Sequence, residues 1–345
     1  MTMSATYKAL ALQVSCSAVN KFNAADARKE MQASAERVGR QIKASKGFIG
    51  QDLKLVVLPE YFLTGFPMNE SISEWQDKGC LTPGDEVYQT LAAIAVHNQI
   101  YLSGNVYERD NHFTQLYFQC SFIIDAQGAT ILRYRRLNSL YAPTPHDVLN
   151  EYIQVYGADA LFPVAKTELG NLACIASEEI LYPEIARSLA VRGAEVLLHS
   201  SSEVGSPLLT QKNIAKLARA IENMCYVVSA NSAGITGYDI PAASTDGHSQ
   251  IVQYEGIKLC EAGFGESMVA NGTIDVAALR RHRLRPGMAN FLARQRFELF
   301  KDTYAQTLHP ANGLHGVMPE RSWAAQAQQK TIAALQQQKI IENNN

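Results

Sequence analysis

The chain has 345 residues, 47% hydrophobic and 19% charged, with a formal net charge of −2. These values fit a globular protein of one large core or two domains and exclude a disordered chain. They leave no electrostatic footprint for nucleic acid or an anionic membrane, and no apolar run approaches the length of a membrane span. Met1 to Tyr7 lacks the basic-then-apolar layout of a secretory leader. The six cysteines, Cys16, Cys80, Cys120, Cys174, Cys225 and Cys260, lie far apart, mostly in apolar strand-like runs, with no CxxC pair. They read as buried free thiols of a cytoplasmic protein, not as zinc ligands or a disulfide framework. No glycine loop fit to cradle phosphate and no metal-ligand spacing is present, so neither a cofactor nor a metal is expected.

In chain order, Lys8 to Val14 alternates as a strand, and Asn23 caps a helix that carries Met31, Ala35, Val38 and Ile42 inward and stops at Gly47. Lys54 to Leu58 is a short buried strand that runs into Pro59-Glu60-Tyr61. A helix over Asp85 to His97 and a strand over Ile100 to Val106 follow. Cys120 to Asp125 and Thr130 to Tyr134 form a hairpin whose second strand leads directly into Arg135-Arg136. Asn138 to Pro163 is irregular and reads as a long loop near a mouth, with room for a short helix.

Leu172 to Ile175 is the next strand, and Glu195 to Leu198 another. Pro207 to Met224 reads as a helix, Tyr226 to Ser229 as a strand, Gln250 to Tyr254 with Ile257 to Cys260 as a hairpin, and Asn271 to Asp275 as the last strand. This alternation, broken by hairpins, is a layered α/β arrangement of mixed sheets. The main domain spans residues 1–285, and residues 286–345 form a helical extension. Arg280, Arg281, His282, Arg283 and Arg285 read as a solvated or salt-bridged loop. Helices are predicted over Asn290 to Leu308 and Ser322 to Ile341. The second has few apolar residues and little stability alone, and suits a subunit contact.

The stretch that organises the chain is Ile175-Ala176-Ser177-Glu178-Glu179-Ile180-Leu181-Tyr182-Pro183-Glu184. A strand that turns sharply into a helix presents one side chain at its carboxyl end, where a nucleophile is wanted and backbone N–H groups are at hand. Ser177 occupies that point, and Pro183 fits the first helical turn. Taken alone, Ser177 is most simply an N-cap. Glu60 alone is a surface residue or cap, Arg136 alone a salt-bridged strand end, and Cys174 a core residue.

Ser177 with Glu179, Pro183 and Glu184, Leu58-Pro59-Glu60-Tyr61 with Thr64-Gly65, Tyr134-Arg135-Arg136-Leu137, Gly193 to Leu197, and Ala220 to Asn223 with Val227 to Asn231 and Gly234 occur in a telling order. Together they resemble the nitrilase/amidase superfamily of carbon–nitrogen hydrolases over most of residues 5–280. The resemblance implies a four-layer αββα sandwich of two mixed β-sheets. It also implies a pocket bounded by Glu60, Arg136 and Ser177, in the places of the family's glutamate base, lysine and nucleophilic cysteine. Tyr61 and Glu178 are expected to line the pocket, and His199 either to line it or to stand as a satisfied structural histidine. The family's second glutamate is assigned to Glu151, among His146 and Asp147.

The partners so implied are a small-molecule amide, nitrile or carbamoyl compound and further copies of the chain, as a homodimer or larger homo-oligomer. The two exchanges change the chemistry: a carboxylate is a poor base for an alcohol, and a guanidinium does not shuttle protons. Hydrolysis is therefore expected to be weak or absent. The alternatives are a natural non-catalytic homologue that binds or scaffolds, a divergent enzyme with non-covalent chemistry in the same pocket, and a cysteine-to-serine exchange made in the laboratory.

Overall fold

The computed structural model describes residues 6–203, 209–317, 320 and 322–342. In its first half β1 (Thr6–Ala11) and β2 (Cys16–Ser17) precede α1 (Ala24–Ile49) and β3 (Leu53–Val57). Then come α2 (Ile72–Gly79), β4 (Cys80–Leu81), α3 (Glu86–Asn98), β5 (Tyr101–Arg109), β6 (Tyr117–Ile124) and β7 (Thr130–Arg135). After a loop that holds α4 (Leu149–Tyr156), the second half runs β8 (Ala165–Thr167), β9 (Gly170–Ala176), α5 (Pro183–Val191), β10 (Val196–Ser200), α6 (Gln211–Asn223) and β11 (Tyr226–Ala230). It continues through β12 (Ile235–Thr236), β13 (Gln250–Val252), β14 (Lys258–Glu261), β15 (Asn271–Asp275) and α7 (Val276–Leu284), and the extension adds α8 (Lys301–Tyr304) and α9 (Trp323–Gln337).

The two main sheets share a plan. In the first, β1, β3 and β5 are parallel, β15 pairs antiparallel with β1, and β6 and β7 extend the other side. In the second, β9, β10 and β11 are parallel, flanked by antiparallel β8 on one side and β13 and β14 on the other. Side-chain alternation then sorts each strand between two cores. Ala9, Leu55 and Val57 of the first sheet pack against Leu172, Cys174, Ala176 and Leu198 of the second. Their neighbours Leu10, Val56 and Leu102 face Met31, Val38 and Leu91 of α1 and α3. Ala173, Ile175 and Leu197 face Ile185 and Leu189 of α5 and Ala215 and Ala220 of α6. The order helices, sheet, sheet, helices is the expected αββα sandwich.

This layering decides the fate of Cys174. Its thiol sits between the sheets, 3.8 Å from Ser103 Oγ, and burial pushes it up to about 12. It is a core residue.

Several boundaries differ from expectation. α1 runs past Gly47 to Ile49, and Gly50 ends it at φ 124° with its N–H on the Lys46 carbonyl. Met1 to Ala5 and Pro207 lie outside the described residues; α6 begins at Gln211 under a Thr210 cap. The basic cluster is mostly helical: α7 aims Arg280 at Glu195 and Arg283 at the carbonyls of Met224 and Ala194. The helix expected over Asn290 to Leu308 is reduced to a 3-10 turn at Phe297–Leu299 and the four-residue α8. Its apolar residues Leu299, Phe300 and Tyr304 are exposed, and without burial a short helix lacks the contacts that outweigh its ordering entropy. The tail helix forms as α9, and it meets its own chain. Leu314 is buried with Phe113, Phe118, Val148 and Tyr152, and Trp323 packs against that cluster.

Candidate functional site

The carboxyl ends of β3, β7, β9 and β10 open on one edge of the sandwich, because β7 returns to the direction of β5 after two antiparallel steps. Glu60 follows β3 and is 1% exposed. Its backbone N–H donates to the Ser201 carbonyl, while Ser200 Oγ donates to the Leu58 carbonyl at 2.8 Å, so the two sheets are stitched here. Glu60 Oε1 accepts from Gln119 Nε2 at 2.7 Å and from the Arg136 guanidinium at 3.1 Å, and Oε2 accepts from the Ser202 N–H at 3.1 Å.

Arg136 follows β7 and is committed in every direction. Nε donates to the Asn138 carbonyl (2.7 Å), one terminal nitrogen to Glu60 and Gln119 Oε1, and the other to Glu178. Burial opposes its charge, but Glu60, Glu178 and Glu179 outweigh that and raise the guanidinium above its ordinary value.

Ser177 follows β9 at φ 50°, the left-handed conformation that bends the chain sharply at the strand end. The N-cap reading does not hold. The serine opens a 3-10 turn, Ser177–Leu181, and its side chain makes no capping bond. Its carbonyl accepts from His199 Nε2 at 2.8 Å, and its hydroxyl faces Lys212 Nζ at 3.2 Å. A carbonyl only accepts, so His199 carries its proton on Nε2, and Nδ1 accepts from Ser229 Oγ at 2.8 Å. Burial holds that imidazole neutral, well below its usual range. His199 is fully buried with both ring nitrogens bonded and braces the turn from beneath, as a satisfied structural histidine does.

Glu179 binds the β7 exit to the β9 exit. It accepts from Tyr134 Oη (2.7 Å) and from the backbone N–H groups of Leu137 (2.6 Å), Asn138 (3.1 Å) and Ala176 (3.2 Å). Burial pushes its carboxyl up to about 7 against the pull of Arg136 and these donors. Glu178, beside it, faces a cavity of about 410 Å³ that Asn138, His146, His309, Trp323 and Thr331 also line.

The other expected residues divide. Tyr61 sits at φ 36°, stacked on Tyr107 with ring centroids 6.0 Å apart. Glu151 is not brought to the strand ends: on α4 it meets His112 at 2.8 Å and His315 at 3.5 Å, and the glutamate that Arg136 reaches besides Glu60 is Glu178. Gln119 and Lys212 were missed. Gln119 had a signal, since it is a polar residue inside the fully buried strand Tyr117–Ile124. Lys212 had none, because it meets a residue 35 positions away. Among the described residues no group of His, Cys, Asp or Glu side chains gathers as a metal site, and no helix is long and apolar enough to cross a membrane.

The molecule is thus a two-sheet α/β sandwich in which an acid, a cation and a hydroxyl, Glu60, Arg136 and Ser177, follow strands β3, β7 and β9. The model of the carbon-nitrogen hydrolase family matches residues 28–283, and the chain belongs to that family. It is 28% identical over 255 residues to a hydrolase in the pqqF 5' region of Pseudomonas protegens, a match that covers 73% of this chain and 81% of the other. The 2-oxoglutaramate amidase of Bacillus subtilis is 27% identical over 243 residues, covering 70% of this chain and 86% of its own. A formamidase of Bacillus thuringiensis is 26% identical over 238 residues, covering 68% and 66%.

Among solved structures, Nit3 of Saccharomyces cerevisiae, a member of branch 10 of the nitrilase superfamily, superposes with a TM-score of 0.64 at 21% identity, covering 81% of this chain and 94% of its own. A cysteine-to-serine mutant of the Nesterenkonia AN1 amidase gives a TM-score of 0.61 at 19% identity, covering 88% and 100%. At such identities the likeness establishes the fold.

Proposed function

We propose that this member of the carbon–nitrogen hydrolase family keeps the strand-end site for a small molecule but has weak or absent hydrolysis of amides, nitriles and carbamoyl compounds. One observation carries the reading: among the described residues the Ser177 hydroxyl is hydrogen-bonded to Lys212 and not to Glu60, whose carboxylate is held by Gln119, Arg136 and the Ser202 N–H. A base must reach the proton it removes, and a serine hydroxyl asks more of that base than a thiol does. Arg136, locked to two carboxylates, holds charge in place and does not move a proton.

A second reading, a binding protein with no turnover, draws on the cavity beside Glu178. A laboratory exchange at Ser177 would leave the Arg136 lock unexplained. The six free cysteines support a cytoplasmic setting. Exposed Leu284, Met288, Leu299 and Tyr304 support assembly as a homodimer or larger homo-oligomer, which light scattering measures.

The test is ammonia release from formamide, 2-oxoglutaramate and a panel of small amides and nitriles, by the unchanged protein and by Ser177→Cys. Little or no release by the unchanged protein is expected, and robust release overturns the proposal. Release only after Ser177→Cys identifies residue 177 as the block. Silence from both, with a ligand still bound, favours the binding protein.

A further inference from the structure

Although Glu60 is spoken for, the hydroxyl of Ser177 is not without a partner. Lys212, in the first turn of α6, places Nζ 3.2 Å from Ser177 Oγ. Among the described residues this is the one hydrogen bond or ion pair of the Lys212 side chain. The neighbouring cation on the same helix face is different. Lys216 is fully buried, bonded to Asn213 Oδ1 at 2.8 Å and 4.0 Å from Glu203.

The rest of the setting fixes the serine rather than competing for it. His199 holds its carbonyl, and the left-handed backbone keeps the hydroxyl at the strand end. Ser177 is 5% exposed, whereas Lys212 is partly open. A serine at a strained turn with an amine at hydrogen-bond distance is the arrangement of lysine-assisted serine nucleophiles.

We propose that Ser177 and Lys212 form a nucleophile–base pair that accepts a small acyl group from activated esters. The amine of Lys212 takes the proton of the Ser177 hydroxyl as Oγ bonds to the acyl carbon. The ester C–O bond then breaks and the phenolate leaves. Lys212 returns its proton to solvent, and water later attacks the acyl-serine, restoring the hydroxyl and releasing the carboxylic acid. A phenolate departs without being protonated, whereas an amide nitrogen must gain a proton as it leaves. An activated ester therefore asks less of the pair than an amide does. The inference concerns the same pocket as the proposed function but does not rest on it, since it uses neither Glu60 nor Arg136.

The full-length protein is mixed with p-nitrophenyl acetate, and nitrophenolate release, intact mass and the labelled peptide are followed. One acetyl group per chain is expected, mapped to Ser177. Ser177→Ala removes it. Lys212→Met and Lys212→Arg each slow it by roughly 10²-fold or more, as loss of a general base does. Lys43→Met, an exposed lysine on α1, leaves the rate unchanged. Near-ultraviolet circular dichroism and thermal melts show that each variant is folded.

The proposal is overturned if no acetyl group is found on Ser177, if Lys212→Met labels as fast as the unchanged protein, or if Lys212→Arg retains the rate. The last outcome would mean that charge, not proton acceptance, is what counts. Ammonia release measured on the same preparations reports separately on the proposed function.

Discussion

The two sheets hold the polar groups near their strand ends in opposite ways. On the first sheet Glu60, Gln119 and Arg136 bond to one another, and Arg136 reaches across to Glu178. On the side of the second sheet the Ser177 hydroxyl and the Lys212 amine have, among the described residues, one hydrogen bond, to each other. A buried network in which every group is matched is rigid, and taking a proton from it strands a charge. A hydroxyl with a single amine partner has no such lock. Occupying the right strand end therefore does not make a residue ready for chemistry. Readiness depends on which of its bonding sites its neighbours have already filled.

The sharpest way to break this comparison is to unlock the first side. Arg136→Ala leaves Glu60, at 1% exposure, with a buried charge and no counter-ion. Removing one partner of a buried pair costs about 3–5 kcal/mol, and urea unfolding is expected to show a loss of that order. Arg136→Lys keeps the charge but not the planar fork that meets Glu60, Gln119 and Glu178 together, and should fall between the two. Lys212→Met, on the other side, should change stability by no more than about 0.5 kcal/mol. Equal losses from Arg136→Ala and Lys212→Met would remove the distinction.

The seam between the sides offers the next effect. Burial raises the carboxyl of Glu179 from 4.5 to about 7. Between those values the folded chain holds a proton that the unfolded chain has released. The contribution to stability is therefore full below about 4.5 and is lost as pH rises through about 7. At 1.36 kcal/mol per unit the total is on the order of 3 kcal/mol. Glu179→Gln does not titrate, so the difference between its melting curve and that of the unchanged protein should vary across this window and level off on either side. A constant difference from pH 4 to pH 8 would show that the four donors, not burial, govern the group.

How much of this was legible in the chain follows from how local each cause is. Strand ends are written in short runs, so Leu58-Pro59-Glu60 and Tyr134-Arg135-Arg136 could be placed, as could the cap at Asn23. The side-chain alternation of β9 was hidden, because a strand buried on both faces shows no polar period; only the layers separate Cys174 from Ile175. The 3-10 turn after Ser177 displaced the expected cap, since the serine's left-handed backbone carries the hydroxyl toward α6 rather than toward the turn's own N–H groups. Glu151 failed for want of any constraint: α4 lies in a long loop, and two imidazoles engage its carboxylate.

The smallest effect tests the turn itself. Ser177 and Tyr61 both stand at positive φ, 50° and 36°, one after a strand of each sheet. For a residue with a Cβ this conformation costs about 1–2 kcal/mol. Glycine removes that cost but has more entropy to lose on folding, roughly 0.5–1 kcal/mol. Ser177→Gly also gives up a single partly exposed hydrogen bond to Lys212. The net expectation is a gain of at most about 0.5 kcal/mol in urea unfolding. Tyr61→Gly should move the other way, because the ring stacked on Tyr107 and edged against Phe66 is lost with the strain. Opposite signs at two left-handed positions would show that the serine's backbone is held for the placement of its hydroxyl, while the tyrosine's is repaid by packing.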